Sequence, residues 1–151
     1  MEWIDLALAI AHHLAIFALA ATLAAELVLM RPGIAGDALR RLANVDRAYG
    51  TLAGLVILVG IARVVFGIKG WEFYVYNWVF WAKMAAFGVV GLLSAAPTLR
   101  IFRWNAALKS DPAYVVPSTE VGAMRGYLFA EMIVFALIPV FAAAMARGFG
   151  Y

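Results

Sequence analysis

LALAIAHHLAIFALAATLAAELVLM, Leu6 to Met30, is apolar for longer than the roughly 18 residues that mark a membrane-spanning helix, yet it holds His12, His13 and Glu26. A helix in lipid keeps such side chains only where they face protein or water, so this stretch predicts both a membrane fold and a polar interior. The composition agrees. Of 151 residues, 66% are hydrophobic and 14% charged, against about half and a quarter in soluble domains. Lipid is therefore the expected solvent. No basic region precedes the first apolar run, which reads as a retained helix and not as a removed signal peptide. Cysteine is absent, excluding disulfides, thiolate metal sites and thiol nucleophiles. A net charge of +3 is too small and dispersed for a nucleic-acid surface.

Four apolar stretches are long enough to span: about residues 4–30, 48–66, 76–102 and 124–146. The first stops at Arg31, Pro32 and Gly33, the second runs out in FGIKGWEF, and the third gives way to KSDPAYVVPSTE, expected as a loop or lipid-surface segment. The expected architecture is all-α: residues 1–151 as one integral membrane four-helix up-and-down bundle. Arg31, Arg40, Arg41 and Arg47 surround the first connection, and Arg100, Arg103, Lys109 and Arg125 the third. The other side carries Lys69 and Arg147. By the retention of basic loops in the cytoplasm, both termini belong outside, in the periplasm of a bacterial inner membrane. Trp3, Trp71, Trp78 and Tyr151 then mark the outer interface, Trp104 and Tyr114 the inner one.

Depth sorts the polar residues. His12, His13, Arg63 and Lys83 fall in the outer half and Glu26 and Glu131 toward the inner side, a cationic layer above a carboxylate layer. Residues seven apart share a helix face, which groups Asp5, His12 and Glu26, then Tyr49 and Arg63, then Tyr76 and Lys83. His13 points about 100° away, so His12 is the favoured inward imidazole. Structural roles stand beside functional ones: Arg63, Lys83 and Glu26 can snorkel to an interface, and Glu131 can pair with Arg125 or Arg47. Gly50, Gly54 and Gly60, with Gly88 and Gly91, offer small faces for close helix approach and a homodimer. Pro97 and Pro139 lie inside helices three and four, where each frees a carbonyl and predicts a kink. The run WEFYVYNWVFW, Trp71 to Trp81, reads as an interfacial girdle or the wall of a flat cofactor or quinone pocket. AAELVL and FAEMIV place glutamates in similar settings on helices one and four, too briefly to make a repeat.

There is no phosphate loop, HExxH, GxSxG or dinucleotide fingerprint. A haem b site meets the remaining constraints: bundles hold haem between helices, His12 supplies an axial imidazole to the iron, Arg63, Lys83 and Lys69 suit the propionates, and Tyr49 or Tyr76 stands near the pocket. The second ligand is open among none, His13 and a second subunit's His12; Met84 lies about 100° round the helix from Lys83. The leading expectation is thus an inner-membrane haem-b-binding or quinone-linked redox protein, possible membrane oxidoreductase activity included. One alternative is a proton-coupled small-solute carrier with Glu26, Glu131 and His12 as relay, which needs a homodimer because four helices are few. Another is a non-catalytic membrane assembly subunit.

HHLAIFALAATLAAELVLMRP, VDRAYG, VGIARVVFGIKGWEFYVYNWVFWAKM and LLSAAPT, in this order across Ala11 to Thr98, resemble a family of small four-helix bacterial membrane proteins catalogued as a domain of unknown function. That resemblance implies a fold and a membrane location. A looser one is to the HemJ-type protoporphyrinogen oxidases and the CopD-like membrane domain. It implies a haem-binding histidine, matched here by His12 or His13, and a lysine after a Trp-rich helix start, matched by Lys83 in FWAKM. The chain departs from the HemJ pattern in lacking a basic PRLF-like end to helix one and later histidines. Its six methionines form no MxxM or MxM set for copper.

Overall fold

The computed structural model describes residues 2–150; Tyr151, expected at the outer interface, lies outside the described residues. Five helices follow one another: α1 Glu2–Leu29, α2 Gly36–Phe66, α3 Gly70–Val75, α4 Trp78–Ser110 and α5 Ser118–Ala146. The four long ones are apolar and long enough to cross a membrane, and the protein is an all-α integral membrane protein. Exposure is inverted relative to a soluble domain: Phe17 and Leu92 are 70% and 78% exposed while Glu131 and Asn77 are fully enclosed. Such an outer face is stable only against hydrocarbon.

The helices outrun the apolar stretches that announce them. α2 begins at Gly36 and not near Ala48, α4 continues to Ser110, and α5 starts at Ser118, so both ends of KSDPAYVVPSTE are helical while residues 111–117 form the expected loop. These added turns are amphipathic. Leu39, Leu42, Trp104, Leu108, Val121 and Met124 turn inward while Arg40, Arg41 and Arg103 stay exposed, a pattern that stabilises helix at and beyond the lipid boundary. Trp104, expected at the inner interface, is instead buried and donates from Nε1 to Glu120 Oε2 at 2.8 Å. The aromatic run divides into α3, a turn at Tyr76–Asn77, and the start of α4. Both α4 and α5 continue helical through Pro97 and Pro139.

Around the bundle, α1 lies beside α2 and α5, and α4 beside α2 and α5; α2 and α5 face each other across one diagonal. At one end the α1–α2 and α4–α5 loops meet, with Ala35 bridged to Val115 and Val116 N donating to Ile34 O at 3.2 Å. Arg125 reaches across from α5, its Nη1 donating to Leu27 O at 2.8 Å and Met30 O at 2.6 Å, and so satisfies carbonyls that the end of α1 leaves open. The opposite end gathers both termini. Asp5 Oδ1 accepts from Ile68 N, and Gly148, at φ 83°, supplies the left-handed turn by which the chain leaves α5.

Asn77 closes that end. Its Oδ1 accepts from Val79 N at 2.9 Å and Phe80 N at 3.3 Å, capping α4, while Nδ2 donates to Phe149 O at 3.1 Å. Gly50, Gly54, Gly88 and Gly91 have no neighbour where a Cβ would stand, so they serve no helix contact within the chain. Gly60 differs: a Cβ there would lie 3.4 Å from His12 Cε1, and its absence seats the imidazole against α2. Replacing Asn77 by alanine removes a cap and the tail contact together. The expected loss is about 1–2 kcal/mol, read as a lowered unfolding midpoint in mixed-micelle denaturation.

Candidate functional site

Polar side chains form two layers inside the bundle. Near the termini, His12 on α1, Arg63 on α2 and Lys83 on α4 are each half-buried and close enough for their charges to act on one another. His12 Nδ1 and Arg63 Nε are enclosed without a hydrogen-bond partner. Lys83 Nζ stands 5.4 Å from the centre of the Phe80 ring. His13 is exposed and its Nδ1 lies 2.7 Å from Ala9 O, a contact within its own helix. Tyr76, 74% exposed, faces away, and Met84 is also turned outward. Three of the residues grouped by sequence spacing therefore converge here, and Tyr76 does not.

Tyr49 is not in this layer either. It lies toward the loop end of α2, where its hydroxyl donates to Glu131 Oε1 across the α2–α5 diagonal. Glu26 on α1 is buried beside them, and Asp46 on α2 and Thr98 on α4 complete the group, Thr98 Oγ1 donating to Asp46 Oδ1 at 2.6 Å. Each of the four long helices contributes a member. The carboxylates act on one another: Glu26 with Asp46 and Glu131, and Glu131 with Asp46. Exposed Arg47 acts on Asp46, but no cationic side chain bonds Glu26 or Glu131 among the described residues. Arg125 is occupied by α1 carbonyls, so it does not pair with Glu131. One oxygen of each glutamate, Glu26 Oε1 and Glu131 Oε2, has no partner. Glu26, only 2% exposed, does not snorkel.

Asp46 and Thr98 were not among the residues that sequence spacing selected. Asp46 precedes the apolar run of helix two, but its spacing to Tyr49, three residues on, and Val56, ten on, puts it on the same buried face. Between the two polar layers the interior is apolar, with Leu19, Val56, Val90 and Phe135 buried one from each long helix. The α1 members of the two layers, His12 and Glu26, are 14 residues apart, or about 21 Å along the axis. Among the described residues no three His, Cys, Asp or Glu side chains come together as a metal-ion site. The loop-end carboxylates are spread across the bundle instead of converging on a point.

The chain belongs to the family described as "Predicted membrane protein (DUF2214)", whose model matches residues 4–150. No curated protein and no solved structure matches it. The family description carries a membrane location without an activity.

Removing the Tyr49 hydroxyl strips Glu131 of its one bonded partner inside an apolar bundle. Tyr49→Phe is expected to destabilise the protein by about 1–3 kcal/mol, whereas Tyr76→Phe, at an exposed position, changes stability by no more than about 0.5 kcal/mol. Denaturation of both variants in the same micelles makes the comparison.

Proposed function

We propose that this family member is a proton-coupled carrier of small solutes in a bacterial inner membrane, with Glu26, Asp46, Tyr49 and Glu131 as its proton-binding centre. The supporting observation is that two glutamates, enclosed by protein, each keep an oxygen without a partner and have no bonded cation. A bare carboxylate in such surroundings costs several kcal/mol. A proton is the cheapest compensation, and gaining or losing it changes the charge held at the bundle centre. Tyr49 orients Glu131 by occupying Oε1, leaving Oε2 as the position where a proton exchanges. The apolar plug of Leu19, Val56, Val90 and Phe135 blocks free leakage between the layers, so transfer toward His12 requires the helices to shift. Because four helices offer little room for alternating access, two copies acting together suit this reading. The basic residues around the α1–α2 and α4–α5 loops support a cytoplasmic position for that end, with both termini outside.

Infrared spectroscopy across a pH titration of the protein in lipid tests the centre. A carboxyl C=O band that appears and disappears with pH is expected in the wild type, reduced in Glu26→Gln and Glu131→Gln, and intact in Glu72→Gln, where the side chain is exposed. Identical titrating bands in wild type and both interior variants would sink the reading.

The enclosed, unpartnered His12 Nδ1 favours a second reading: haem b bound through His12, with Arg63 and Lys83 at the propionates, in a redox protein exchanging electrons with quinone. His12, Arg63 and Lys83 suit the group; Tyr49 and Tyr76 take no part. When bound, haem would supply one-electron chemistry, and the chain would supply the imidazole, the two cations and an apolar surround. Protein purified after haem-replete expression should then carry a Soret band that His12→Ala abolishes. Absence of the band in the wild type removes this reading.

A further inference from the structure

Between α2 and α4, at the loop end, a recess of about 510 Å³ opens on the outer face of the bundle. Its rim carries Arg47 and, in the last turn of α4, Lys109. Neither forms an ion pair among the described residues. One turn from Lys109 stands Asn105, and deeper along the helices the wall becomes Gly50, Ile101 and Phe102. No atom occupies the place of a Gly50 Cβ, so the gap continues along α2. The recess is thus cationic and polar at one end and apolar at the other, with its long direction along the helices.

We propose that this recess seats one anionic phospholipid of the bilayer, its phosphate held between Arg47 and Lys109 and one acyl chain lying in the gap beside Gly50 and Phe102. The charge order selects the occupant. Two unpaired cations at the depth of a membrane interface attract a phosphate, and a volume of this size accepts a ligand-scale group. Phe102, 75% exposed, and the bare Gly50 backbone leave an apolar slot that an acyl chain fills better than water does. A second copy of this chain fits poorly, because a two-fold contact through Gly50 and Gly54 would set Arg47 against the partner copy's own arginine. Asp46 lies in the same wall, where Thr98 donates to its Oδ1 and Arg47 acts on it without an ion-pair contact; with Arg47 and Lys109 against one carboxylate, the rim keeps a net positive charge. The recess shares Asp46 with the loop-end polar group, but lipid retention at Arg47 and Lys109 is read separately from proton binding at Glu26 and Glu131.

Native mass spectrometry and thermal denaturation of the full chain, reconstituted with phosphatidylglycerol or phosphatidylcholine, test the assignment. Phosphatidylglycerol is expected to remain bound and to raise the midpoint, with phosphatidylcholine doing neither. Arg47→Gln with Lys109→Gln should weaken phosphatidylglycerol binding about thirtyfold. Gly50→Leu should also expel the lipid, with the rim charge untouched. The pair Arg31→Gln and Arg41→Gln, which removes equal charge from the same end outside the recess, should leave binding within about threefold. Equal retention of both lipids, or equal loss in the two double variants, would overturn the proposal by reducing it to general surface charge. So would a midpoint shift reproduced by inorganic phosphate alone, which would assign the rim to a free anion. A change from dimer to monomer in Gly50→Leu would give the recess to a second copy instead.

Discussion

In a hydrocarbon solvent a polar side chain has nowhere to go but inward, and the architecture of this protein follows from how few partners it finds there. Four helices with apolar outer faces bury Glu26, Asp46, Tyr49 and Glu131 at the same end of the bundle. The bond from Tyr49 to Glu131 is the one that crosses the bundle diagonally. It sets the depth of α2 against α5, which otherwise pack on α1 and α4, and it leaves each buried glutamate one oxygen short. Structural ion pairs would have satisfied these groups. Arg125, the nearest candidate by sequence, is instead committed to the carbonyls that end α1.

The two ends of the molecule are held by different means. At the loop end, helices extend past the lipid boundary as amphipathic turns, and Ala35 and Val115 tie the two connections together. At the opposite end Asn77 joins the α4 start to the tail after α5. These fastenings hold the helix ends, while the middle is filled by apolar contacts such as Leu19, Val56 and Val90. Apolar contacts lack direction and can repack during a small helix shift; capped ends cannot. A bundle fastened at its ends and smooth in its middle suits motion that connects two polar layers.

The four helices and their membrane setting were legible because apolar runs of this length have few other meanings. The same was true of His12 over His13, which the step of about 100° between neighbouring residues separates. Helix ends were not legible, since hydropathy reports lipid contact and α2, α4 and α5 continue as amphipathic helix beyond it. Tyr49 was grouped with Arg63 correctly by face but not by depth: fourteen residues along one stripe carried it from one layer to the other. Asp46 escaped for the reason that hid the true start of α2, whereas Thr98 lies within the third apolar run and carries no charge to single it out. A polar residue just outside an apolar run looks like loop until the buried side of the added turns is known.

A shared polar centre requires Tyr49 and Glu131 to meet inside the bundle when lipid surrounds the protein. Solid-state NMR in bilayers, with ¹³C in tyrosine rings and glutamate carboxyls, measures this directly. A through-space cross-peak between a tyrosine Cζ and a glutamate Cδ that is missing from the Tyr49→Phe protein is the expected result. A wild-type spectrum without such a peak, or one in which Tyr49→Phe removes none, would contradict the shared polar centre.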